Sequence, residues 1–204
     1  EKINGVNDDY PINTAGLAVT LVYVDSTRGW KSVTGSDADA TGLLPAFVTA
    51  TGGTPCSGAI VCTNYKVHTF TGAGTFTVSC GGNILGSNTV DYMVVAGGAS
   101  GGADGGGGGG AGGYRESPGT ASGCYAVSPL GAAPAVALPV SVQGYPIVIG
   151  GGGGVGPGCG IKGSDSSFST ITSTGGGLGL ADKAATPTCG PGGSGGGGGK
   201  NGTY

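Results

Sequence analysis

Chemistry, if this chain performs any, has few residues to work with. It holds one histidine, His68 in "KVHTFT", and six cysteines: Cys56, Cys62, Cys80, Cys124, Cys159 and Cys189. A nucleophile–histidine–acid site would have to be assembled around His68, and no nucleophile elbow or equivalent accompanies it. Asp8, Asp9 and Asp165 are candidate acid–base carboxylates, but nothing in their spacing positions them together. The segment "GSGGGGGKN" (193–201) approaches a phosphate-binding loop. Ser194 stands where the first glycine belongs, however, and Asn201 where the magnesium-holding hydroxyl belongs. "SDADATG" (36–42) opens like a calcium loop, with Asp37, Asp39, Thr41 and Gly42. The bidentate acid due at its twelfth position falls on Val48. A strand histidine, a solvated linker and an accident of composition account for these three segments better than sites do. We expect no catalytic residue, no cofactor and no metal, and hence not an enzyme.

The cysteines lack the C-x-x-C spacing of zinc ribbons and thioredoxin-type centres. Cys56 and Cys62 bracket "SGAIV", where Ser57-Gly58 is a turn signal, so a local Cys56–Cys62 disulfide closing a hairpin is expected. Six reduced, buried thiols are the other reading of the same residues.

Composition bounds the rest. Of 204 residues, 51 are glycine and only 9% are charged, with a net charge of −3. So low a charge does not fit the usual disordered chain, and runs of glycine without a Gly-X-Y period do not fit collagen. The eight Lys and Arg are scattered, which leaves no basic stripe for nucleic acid. The apolar stretch "SPLGAAPAVALPVSV" is too short to cross a membrane and is broken by Pro129, Pro134 and Pro139. Neither nucleic acid nor membrane is an expected partner. The opening at Glu1 and the closing "GGGGGKNGTY" read as cuts in a longer polypeptide or as processing sites.

The elements are strands. "LAVTLVYVD" (17–25), "STRG" and "WKSV" form a hairpin within a small β unit over 1–34, with Val19, Leu21, Tyr23 and Trp30 on it. A lone hairpin is marginal in water, so these four residues are expected to be covered by other copies of the chain. Residues 35–46 have linker composition. Over 47–96, "NYKVHTFTG" (64–72), "AGTFTVS" (73–79) and "NTVDYMVVAG" (88–97) are strands. Gly72-Ala73-Gly74 is expected to be the hairpin turn joining the first two. Residues 97–204 form a glycine-rich domain, interrupted by the β-rich "PVSVQGYPIVIG" and "SDSSFSTITSTGGG". No helical periodicity occurs. The fold class is all-β with a glycine array.

Poly-glycine forms the left-handed, three-residue-per-turn helix of polyproline, whose amides point outward. With no side chains, such rods can lie close enough to bond one another. Gly97–Gly113, Gly150–Gly160, Gly175–Gly179 and Gly192–Gly199 would supply them, the alternative being flexible linkers. Tyr114 and Arg115, with Tyr125 and Tyr145, are the contact groups expected at rod ends.

Several ordered blocks carry a family resemblance. They are "VTLVYVDSTRGW" (19–30), "YKVHTFTGAGTFTVSCGGNILGSNTVDYMVVAGGASGG" (65–102), "GGGGGGAGGYRES" (105–117), "SVQGYPIVIGGGGG" (141–154) and "GSDSSFSTITSTGGGLG" (163–179). Together they resemble glycine-rich fibre and virion structural proteins of tailed bacteriophages, particularly aquatic ones. The resemblance implies a structural subunit on the virion surface or tail, trimeric along a fibre. Its glycine-rich domain would pack as layered helices whose connecting loops touch a bacterial surface receptor. A cellular extracellular filament, built as a helical stack, uses the same domain type and is the alternative.

Overall fold

A computed structural model describes residues 20–32, 45–119, 136–182 and 192–200. The linker expected at 35–46 lies almost wholly outside them. The chain divides into two compact units, residues 1–46 with 83–86, and residues 47–82 with 87–204. The described part is all strand and irregular backbone, with no helix. This is the all-β class that period-two patterning requires.

In the first unit, β1 (Leu21–Asp25) and β2 (Gly29–Ser32) pair antiparallel as the expected hairpin. The Asp25 carboxylate accepts the N–H groups of Thr27 and Arg28, which closes the turn. Tyr23 stands opposite Trp30, their rings edge to face at 5.5 Å. Asn83 Oδ1 accepts from the N–H groups of Ala46, Leu85 and Gly86.

The second unit is built on a five-stranded antiparallel sheet in the order β13-β12-β11-β6-β3. Its strands are β3 (Val48–Thr51), β6 (Gly74–Gly81), β11 (Gly144–Val148), β12 (Ser166–Phe168) and β13 (Ile171–Ser173). Alternation decides which face is wet. Phe76 and Val78 of β6 and Tyr145 and Ile147 of β11 point inward with Ala50 and Phe168, while Thr75, Thr77 and Ser79 are exposed. Phe76 and Phe168 meet edge to face at 5.9 Å, and Tyr145 adds its ring at 6.2 Å. Burial of Val78 to 1% exposure stabilises by about 1.5–3 kcal/mol.

Three small two-stranded pairs complete this unit. They are β4 (Thr54–Val61) with β5 (Tyr65–Thr69), β7 (Thr89–Val90) with β10 (Leu138–Pro139), and β8 (Met93–Val95) with β9 (Tyr114–Glu116).

Two local expectations are corrected. Gly72-Ala73-Gly74 does not close a hairpin, because β5 pairs with β4 while β6 pairs with β3 and β11. Thr54–Val61, one continuous strand, occupies the edge of β5. "NTVDYMVVAG" is likewise two strands rather than one. It breaks at Asp91 and Tyr92, where Ser117 donates to the Asp91 carboxylate and accepts from the Tyr92 N–H.

Candidate functional site

Strands run directly into glycine, and the glycine segments bond one another through their backbones. Beyond β8, residues 96–103 form a first rod and 106–113 a second that returns antiparallel to it. Bonds at three-residue intervals join them, Ala96 N–H to Gly113 O, Ala99 N–H to Gly110 O and Gly102 N–H to Gly107 O at 2.9–3.0 Å, and Gly106 N–H to Ala103 O closes the turn. The three-residue spacing is that of the polyglycine helix, which turns once every three residues. A third rod (150–154) leaves β11, a fourth (158–164) enters β12, a fifth (174–182) leaves β13, and residues 193–197 are a sixth.

Three-residue spacing recurs at nearly every rod contact. Gly97, Ser100 and Ala103 donate to Ser164, Ile161 and Gly158; Gly107, Gly110 and Gly113 donate to Leu180, Gly177 and Thr174. Gly176 and Gly179 donate to Gly97 and Ser100; Gly177 and Leu180 donate to Ser194 and Gly197. Rods 1 and 5 each bond four others. The pattern is two stacked layers, rods 3-1-2 over rods 4-5-6. One long run therefore does not make one long rod. Residues 97–113 fold back at Asp104 and Gly105, whose φ values of 51° and 81° reverse the chain.

Glycine is dictated here by distance. A Cβ on Gly176 would lie 2.0 Å from the Gly110 carbonyl oxygen, and one on Gly163 2.0 Å from that of Gly97. On the outside, a Cβ on Gly151 or Gly154 would meet nothing within 4 Å.

Serine hydroxyls and one aspartate lock the strand-to-rod junctions. Ser173 Oγ donates to Val94 O at 2.7 Å, Ser166 Oγ accepts the Gly150 N–H, and Asp165 Oδ1 accepts the Gly175 N–H. Ser166 and Ser173 are fully buried. Each hydroxyl satisfies a backbone group where ladder pairing ends and rod pairing begins.

The opposite end of the array is a set of tips. The Ala103 N–H reaches Gly158 O, and the Asp182 N–H reaches Ala103 O, so three tips are tied together. Exposed side chains there include Asp104, Val155 and Cys159, with Val155 fully exposed. Sequence reasoning passed over Val155 and Asp104. The available signal was that each interrupts a glycine run at a place where the chain must turn.

The residues singled out from sequence fare unequally. Tyr114 and Arg115 are exposed on β9, opposite Val95 and Val94, at the strand end of the array rather than at its tips. The Tyr114 hydroxyl donates to the Glu116 carboxylate. Tyr145 is corrected: it is 6% exposed, its ring in the core and its hydroxyl accepting from the Ser141 N–H, so it is no contact group. The Gln143 side chain, then Ser141, holds its phenol below the ordinary value. Tyr125 lies outside the described residues, as does Val19. Leu21 and Tyr23 are exposed, and Trp30 is half-buried.

The Cys56–Cys62 bridge is also corrected. Both residues are thiols, because the hairpin turn begins at the second cysteine, over residues 62–64, and does not lie between the two. Cys56 and Cys62 therefore sit along the same strand and its end instead of facing across a pair, and a bridge needs Cα atoms within about 4.4–6.8 Å. Cys56, Cys62, Cys80 and Cys159 are all exposed, and none is a buried thiol. His68 donates from Nδ1 to Gly52 O at 2.8 Å and stands edge to face on Phe76. Among the described residues, no cluster of three or more His, Cys, Asp or Glu could hold a metal. The calcium-loop residues Asp37 and Asp39 fall outside them.

A family model described as a glycine-rich domain matches residues 68–204, more than half of the chain. No curated protein and no solved structure matches.

Proposed function

We propose that this chain, which belongs to the glycine-rich domain family, is a non-enzymatic structural subunit of an extracellular fibre. The fibre is of the kind borne on the virion or tail of a tailed bacteriophage, and its rod tips contact the host surface. The observation that carries this reading is the two-layer array. Its cohesion comes from backbone bonds at three-residue spacing, which leaves the tip loops free to vary while their mounting stays rigid. A charge-poor chain with exposed Leu21, Val22, Tyr23 and Val24 on a two-stranded hairpin also favours assembly with further copies of itself.

The test is location. Antibody raised against the full chain, carried into negative-stain electron microscopy, labels fibres on purified tailed virions. Label confined to filaments anchored on cells would replace the virion reading with the cellular one.

A further inference from the structure

A groove of about 420 Å³ opens where the β3–β4 connection meets the β5–β6 connection. Gly52, Gly53 and Thr54 form one wall and residues 69–75 the other. Glycine brings the walls together. A Cβ on Gly52, where φ is 123°, would lie 2.3 Å from the Thr75 carbonyl oxygen; on Gly53, where φ is 75°, it would lie 2.5 Å from that of Thr69. The His68 Nδ1–H fixes the Gly52 carbonyl, and the Phe70 ring lies against Gly52 and Gly74. The groove is thus held open by bonded backbone and one half-buried ring.

Its chemistry is restricted. None of the lining residues is charged, so an anionic or cationic ligand has no counter-charge there. Thr54, Thr69, Thr71 and Thr75 bring hydroxyls, each one donor and two acceptors. Phe70 is the one large apolar surface. A ligand matched to this set is neutral, rich in groups that both donate and accept, and carries a C–H face for a ring. That describes a sugar, and the volume lies within the roughly 300–1,000 Å³ of small-molecule sites.

The same chemistry continues outside. Thr75 belongs also to the solvent face of the five-stranded sheet, where Thr77 stands opposite Thr51, with Ser79 and Thr172 exposed on that face. We propose that the groove binds one residue of a neutral glycan, whose chain continues over this uncharged, hydroxyl-bearing face. The proposal does not rest on the fibre reading, since a protein in either setting would meet such glycans.

Titration of the full chain with maltohexaose, mannohexaose and chitohexaose, followed by amide NMR, tests it. An anionic hexagalacturonate is the control. At least one neutral hexaose shifts the resonances of residues 52–54 and 69–75, and the anionic one does not. Phe70→Leu, which keeps the apolar packing, and Thr71→Asp, on an exposed turn, each weaken binding at least about tenfold, or about 1.4 kcal/mol. Silence of those resonances with all three neutral sugars at millimolar concentration overturns the proposal. So does unchanged affinity in both variants.

Discussion

The hydroxyl of Ser100 bridges three rods: it accepts the Ile161 N–H at 2.8 Å and donates to Gly154 O at 2.7 Å, while the Ser100 N–H bonds the Ile161 carbonyl at 3.0 Å. Two residues from rods 1 and 4 thus share a pair of bonds, and the third rod hangs on the same oxygen. A side chain does here what backbone does elsewhere in the array.

Ser100→Ala removes that bridge and leaves the Ile161 N–H without its partner. The expected cost is about 1 kcal/mol, because the site is partly solvated. Amide hydrogen exchange checks it. Residues 150–161 exchange faster in the variant, while Phe76 and Val78 in the sheet keep their protection.

Interior and exterior glycines separate sharply under substitution. Gly176→Ala and Gly163→Ala push a methyl into backbone at 2.0 Å and destabilise by about 1–3 kcal/mol or more. Gly151→Ala and Gly154→Ala meet open space and raise stability by about 0.4–1 kcal/mol through the unfolded chain. Thermal denaturation of the four variants decides this. Equal melting temperatures across the set contradict the packed array.

The first hairpin carries a proton-linked turn. The Arg28 N–H above all, with the Thr27 N–H after it, holds the Asp25 carboxyl below its ordinary value. A depressed carboxyl stabilises fully above the ordinary carboxylate range, and that stability is lost as pH falls through the folded value. The Thr27 and Arg28 amide resonances therefore move together with Asp25 on acidification. Asp25→Asn abolishes the pH dependence.

Assembly is expected to depend on the same hairpin. Replacement of Leu21 and Trp30 by serine weakens self-association and leaves the exchange protection of residues 96–113 unchanged. Light scattering and amide exchange report the two halves separately. A well-folded monomer of the unaltered chain at micromolar concentration would defeat the expectation.

The sequence by itself determined the strand character of 21–32, 74–81 and 144–148, because alternating side chains encode a two-residue period locally. It also favoured packed rods over flexible linkers for the glycine runs, since an ordered chain without side chains must satisfy its amides on neighbours. Only the tertiary structure decided which neighbours. Glycine rods carry no pattern that distinguishes one face from another, so the 3-1-2 over 4-5-6 layering was illegible, and only the interruption at Asp104 hinted at the fold-back. The partner of β5 was decided the same way: Gly72-Ala73-Gly74 allows a hairpin locally, but β4 competes for that edge while β3 and β11 flank β6 on both sides. Tyr145 was decided by burial, its inward place following from the register of β11 against β6, where it stands opposite Phe76. Pairing and register are relations between distant segments, and their free energy appears only once those segments meet.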